Sequence, residues 1–142
     1  LNTAGQNIHW VRDWVDNEGI LNEIHDTDIC LGIFGATDKA DRVLPYKIYA
    51  YSRVGRAIIT GATSCLKRLT LKLDYEPFYL VPAADPIALA NAILTLSTDA
   101  GLREKYAASS ARFYRENLSE EALSKTLTEA LLGGPEAETP AL

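Results

Sequence analysis

Lys47 stands two residues after Pro45 in the stretch Leu44-Pro45-Tyr46-Lys47, with Gly35 and Arg42 in the dozen residues before it. These residue types suit the binding of a compact anion. Glycine lets a backbone come close to a ligand, a helix begun by proline presents unpaired amides, and Lys and Arg neutralise oxygen charge. From Lys39 to Lys72 the chain carries eight of its fourteen Lys and Arg against one acid, Asp41, a local charge of +7 in a chain whose net charge is −5. The pattern predicts cations gathered at the mouth of one βαβ unit, meeting a phosphate rather than a polyanion.

The elements that must position these residues follow from apolar spacing. Ile29-Cys30-Leu31-Gly32-Ile33-Phe34 is almost continuously apolar, as strands buried on both faces of a parallel sheet are. A polar loop over 35–44 leads to a helix over 45–54 that stops at Gly55. Ala57-Ile58-Ile59-Thr60 is the next strand, stopped by Gly61, and Phe78-Tyr79-Leu80-Val81 another, ending before Pro82. Ile8-His9-Trp10-Val11 reads as a short strand, and residues 62–77 as irregular. Asp16 or Asn17 caps a helix bearing Ile20, Leu21 and Ile24 on one face.

The last third reads as helical. Asp85 caps and Pro86 starts one helix, and Asp99 begins a second with Leu102, Tyr106 and Phe113 on a stripe. Ser119 begins a third, with Ala122, Leu123, Leu127, Ala130 and Leu131 expected to face inward. Gly133-Gly134-Pro135 ends it before a tail, 135–142, expected to be flexible. The expectation is a single α/β domain over 1–134: a parallel Rossmann-like sheet flanked by helices, with a C-terminal helical cluster. Ligands of such sheets bind beyond the carboxyl ends of the strands.

Bulk composition narrows the function. With 142 residues, 47% of them hydrophobic, one core is expected. A sequence pI near 5.0 argues against general DNA or RNA binding, which needs a broad basic face. No apolar run approaches the ~20 residues of a membrane span and no signal segment opens the chain, so a cytoplasmic protein is expected. A first residue Leu1, without Met, among polar residues suggests a piece of something longer. Cys30 and Cys65 read as packing residues, and Trp10 and Trp14 as core and edge packing. His9 and His25 lack Cys or carboxylate neighbours at ligand spacing, so no metal is expected. Ser64, Cys65 and Lys67 have no arguable base beside them, which removes a nucleophile mechanism.

In this order and at these spacings the segments resemble the donor-binding, C-terminal domain of GT-B fold glycosyltransferases, family 4 or "group 1". Asp28 to Gly35 is similar to the family's strand leading into the donor loop. Leu44-Pro45-Tyr46-Lys47-Ile48-Tyr49-Ala50-Tyr51 is similar to its Pro-x-Lys-x-x-Glu-Tyr helix start, and Gly55 to Gly61 to the Gly-Lys-Pro-Val-Ile-Thr that follows. Leu80-Val81-Pro82-Ala83-Ala84-Asp85-Pro86 with Leu89-Ala90-Asn91-Ala92-Ile93 resembles the family's "LVPPGDPEALAEAI". The resemblance covers nearly the whole chain.

It implies a nucleotide-sugar as substrate and partner, with no separate cofactor and no metal. It also implies an acceptor-binding N-terminal domain absent from this chain, and an activity transferring a hexose, with retention, to a glycan or lipid-linked acceptor. Peripheral contact with the inner face of a membrane would run through that absent domain, and this piece alone is expected not to turn over. Gly35, Arg42, Pro45, Tyr46 and Lys47 are the expected diphosphate site, and Ala50 and Tyr51 the expected nucleoside pocket. Two departures stand out: the family's Glu-x7-Glu pair is replaced by Arg42 and Ala50.

Each residue also has a plainer reading. Tyr51 on an amphipathic helix suits the core, Arg42 a solvated loop, Gly35 a simple strand terminator, and Arg53 and Arg56 solvent. The rival function is a non-catalytic scaffold that has lost donor binding. A flavodoxin-like or receiver-like module is weaker, since a receiver needs acids clustered at strand ends and only Asp28 is near.

Overall fold

The computed structural model describes residues 8–9 and 11–133. Three parallel strands, β1 (Ile29–Leu31), β2 (Ala57–Gly61) and β3 (Tyr79–Val81), form one sheet in that order. Ile29 pairs with Ala57 and Ile59 with Tyr79. Among the described residues there are seven α-helices: α1 (Asn17–His25), α2 (Asp38–Arg42), α3 (Tyr46–Val54), α4 (Ser64–Thr70), α5 (Pro86–Thr98), α6 (Ala100–Phe113) and α7 (Glu120–Leu131). A π-helical turn, Tyr114–Leu118, joins the last two. The molecule is therefore α/β with a parallel sheet flanked by helices, as the alternating pattern predicts.

β2 is buried along its whole length because helices cover both faces of the sheet. On one face Cys30 and Ile58 pack with Ile24 of α1, Ile48 of α3, Leu66 of α4, Phe78 and Phe113. On the other Ala57, Ile59 and Val81 pack with Ala92 and Leu96 of α5 and Tyr106 of α6. Burial pushes the Cys30 thiol up to about 11, so it stays neutral and packs as a small apolar group.

Several expectations change. Ile8, His9 and Val11 form no strand, and Trp10 lies outside the described residues, as do Gly134, Pro135 and the tail. The stretches read as loop and as irregular each contain a short helix, α2 on the Thr37 cap and α4 on the Thr63 cap. Trp14, read as packing, is 95% exposed. The inward face assigned to α7 meets no core: none of its residues is buried, and Leu123, Leu127 and Leu131 are exposed. The heptad-like spacing correctly gave an amphipathic helix, but it carries no information about what covers that face.

Candidate functional site

The carboxyl end of β1 runs into Gly32-Ile33-Phe34-Gly35, and this segment is tied across to β2 and to the loop after β3. Gly32 N–H donates to Ile59 O at 2.8 Å, Gly61 N–H to Ile33 O at 2.8 Å, and Ala84 N–H to Phe34 O at 2.9 Å. The Thr60 hydroxyl lies 3.3 Å from both Ile33 N and Ile33 O. The rim is thus knit by backbone bonds and by the short, buried Thr60 side chain, with no long flexible side chain among these contacts.

Against this rim stands the start of α3. Pro45, expected as the first helical residue, is instead the N-cap, so the helix begins one position later at Tyr46, and no side chain caps it. Every other α-helix among the described residues begins on a capping side chain: Asp16, Thr37, Thr63, Asp85, Asp99 and Ser119. Ile48 N–H returns to Pro45 O, leaving the amides of Tyr46 and Lys47 without an intrahelical acceptor. The Lys47 ammonium lies 3.5 Å from Gly32 O, which draws its charge toward the end of β1.

The remaining site residues divide. Tyr46, itself 77% exposed, and Ala50 line a groove of about 240 Å³ between α1, α3 and the π turn, together with Tyr49 and Arg53. The Tyr46 and Tyr49 rings stack at 6.5 Å between centroids and 18° between planes. Tyr49 was not singled out from the sequence; its place three residues after Tyr46, on the same helical face, was the available signal. Tyr51 points elsewhere, into an apolar hollow beside Cys30 along the outer edge of β1, where burial raises its hydroxyl pKa. Ala50 and Tyr51 therefore do not share a pocket, because adjacent helical residues face about 100° apart.

Gly35 is exposed, its φ is not positive, and an added Cβ would meet only Ala40 Cβ at 3.9 Å. The protein itself does not require glycine there. Arg42 is engaged within its own helix, its Nε donating to Asp38 O at 3.2 Å and its guanidinium pairing with the Asp38 carboxylate at 3.5 Å.

The cationic stretch does not collect at one mouth. Arg53 occupies the last turn of α3 and Lys67 and Arg68 that of α4, where cations oppose the negative ends of helix dipoles. Seven residues of helix place Arg53 about 10 Å along the axis from Tyr46. Arg56, which directly precedes β2, donates to His25 O at the end of α1, toward the amino ends of the strands. Only Lys39, Arg42 and Lys47 belong to the segment around the rim.

Asp41, the one acid of that stretch, accepts from Ser64 N–H at 2.8 Å and so helps to cap α4. The hydrogen bond to the Ser64 backbone, then that to its side chain, holds the carboxyl below its ordinary 3.8. A depressed folded pKa gives stability that is complete above the unfolded value and is lost as pH falls through the lower folded value. An NMR titration of side-chain carboxyl carbons is expected to give Asp41 a midpoint below 3.8, and a midpoint at or above it would remove the cap.

Among the described residues no group of three or more His, Cys, Asp or Glu is placed to hold a metal ion. No helix among them is long and apolar enough to cross a membrane. No protein-family model matches the chain, and no curated protein matches it.

Proposed function

We propose that this chain is the nucleotide-sugar-binding domain of a glycosyltransferase, with the donor diphosphate at the start of α3 and the nucleoside in the groove beside it. The observation that carries the reading is the one α-helix start among the described residues that no side chain caps, which faces the carboxyl end of β1 with the Lys47 ammonium beside it. A helix N-terminus favours an anion by roughly 0.3–2 kcal/mol. A charged hydrogen bond from Lys47 adds about 1.5–3 kcal/mol. Both interactions strengthen as charge builds on a departing diphosphate, which is how such a corner would assist sugar transfer. The stacked Tyr46 and Tyr49 give the groove an aromatic wall suited to a flat base.

A second observation supports the family resemblance. Ala84 has φ of +56°, a left-handed conformation that favours glycine, and the similar family stretch carries Gly at that position. A backbone that holds an alanine in this strained region keeps the shape the pattern describes.

Calorimetry with UDP, GDP, uridine and guanosine tests the proposal. Lys47→Ala is expected to weaken diphosphate binding roughly tenfold or more, with nucleoside binding changed less than about twofold. Equal losses for both would contradict the phosphate role. Absence of any heat with all four would sink the donor reading. It would favour the scaffold alternative, which rests on a groove with no carboxylate at Ala50 and an Arg42 already paired with Asp38.

A further inference from the structure

A hollow of about 630 Å³ opens on the far side of the sheet's edge strand, between the loop before β3 and the middle of α6. That volume suits an organic ligand rather than a single ion. Its walls are aromatic: Tyr75, Tyr79 and Tyr106, the last two in contact with ring centroids 5.4 Å apart and planes at 54°. Asp74 and Glu76, both exposed, stand at its rim.

The walls are fixed. Tyr79 lies in β3, paired with Ile59. Tyr106 is buried, and its hydroxyl donates to a Glu76 carboxylate oxygen at 3.1 Å. Burial, reinforced by that bond, pushes the Tyr106 hydroxyl up to about 12, so it remains a donor at any ordinary pH. The Arg112 guanidinium lies 4.0 Å over the Tyr75 ring and pairs with Asp74 at 3.3 Å, and Tyr75 donates to Glu116 at 2.9 Å.

Charge selects the ligand class. An anion meets Asp74 and Glu76 at the entrance. A cation is drawn by the same carboxylates, but its place is already taken: Arg112 pairs with Asp74 and covers the Tyr75 ring, and the Lys105 ammonium lies 5.7 Å from the Tyr106 ring. What remains favoured is a neutral ring with an apolar face to lie against Tyr79, the ring not covered by a cation, and hydroxyls to donate to carboxylates, which are acceptors only.

We propose that the hollow framed by Tyr75, Tyr79, Tyr106, Asp74 and Glu76 is a binding site for a neutral saccharide. It is separate from the α3 corner, shares no residue with it, and does not depend on the donor reading.

The experiment is a two-dimensional amide NMR titration of the whole chain with maltotriose, with N,N′,N″-triacetylchitotriose, with tetramethylammonium chloride and with sodium pyrophosphate. At least one trisaccharide is expected to shift the Tyr79 and Tyr106 amides at millimolar concentration. Glu76→Ala, an exposed change, is expected to weaken that binding roughly tenfold or more, and Tyr106→Phe, which keeps the ring, several-fold. The proposal is overturned if neither trisaccharide moves these amides, if tetramethylammonium or pyrophosphate alone does, or if Glu76→Ala binds like the parent. Pyrophosphate shifts confined to Tyr46 and Lys47 would bear on the α3 corner, so the two readings fail independently.

Discussion

Phe113→Ala is expected to lower the unfolding free energy by about 3–5 kcal/mol, the usual range for truncating a buried aromatic. Phe113 ends α6, is fully buried, and is the largest side chain in the core with no exposure. Its ring meets Phe78 edge-on, with centroids 5.0 Å apart and planes at 73°, an arrangement contributing roughly 0.5–1.5 kcal/mol beyond area burial. The cluster it joins also holds Ile48 of α3, Ile58 of β2 and Leu118 of the π turn, so the lost contacts belong to several elements that cannot collapse together. Single domains commonly have only about 5–15 kcal/mol in hand, which makes this change a large fraction of the whole. Urea unfolding should show a lower midpoint with the slope unchanged. A loss below about 1 kcal/mol would mean that the α6 end is not anchored as described.

Helix starts were the most legible part of the chain, for a local reason. Asp16, Asp85 with Pro86, Asp99 and Ser119 each satisfy amides within three residues of themselves, so type and position suffice to find them. α2 and α4 escaped because neither is long enough for an apolar period. α2 buries one residue, Ala40, and α4 one, Leu66, and their Thr37 and Thr63 caps sit in polar stretches that resemble loops.

Tertiary partners were illegible in both directions. Leu123, Leu127 and Leu131 have core spacing and no core, while the +7 stretch has the composition of a phosphate mouth and is spread along three helices, α2, α3 and α4. At the candidate site Lys47, singled out by local pattern, lies beside the end of β1, and Ala50, which only the resemblance implied, lines the groove. The left-handed Ala84 and the Asp41 to Ser64 cap depend on contacts between segments distant in the chain, which no local spacing encodes.

Glycine gives the sharpest contrast, and it leads to the second large effect. Gly35 attracted attention as the end of an apolar run, yet a side chain there would make only an ordinary contact with Ala40, whereas Gly32, inside that run and just past β1, is packed against Thr60 of β2 with no room for one. A Cβ on Gly32 would lie 2.4 Å from Thr60 Oγ1, 2.5 Å from Thr60 Cβ and 3.2 Å from Ile48 Cδ1. Thr60 is fully buried on the central strand, and its Cβ is fixed to the backbone, so no rotamer relieves the overlap. Gly32→Ala is therefore expected to cost about 3 kcal/mol or more, at the upper end of overpacking penalties. Because Gly32 O is the Lys47 contact, the strand shift needed to accommodate the methyl should also displace the ammonium from the α3 corner. Thr60→Gly removes the opposing Cβ at its own cost in packing and strand propensity. In the double variant the two penalties should be distinctly less than additive, with a coupling of about 1–3 kcal/mol in thermal or urea unfolding. Strict additivity would show that the packing of Gly32 against Thr60 is looser than these distances require, and the rim would then lack the rigidity that positions Lys47.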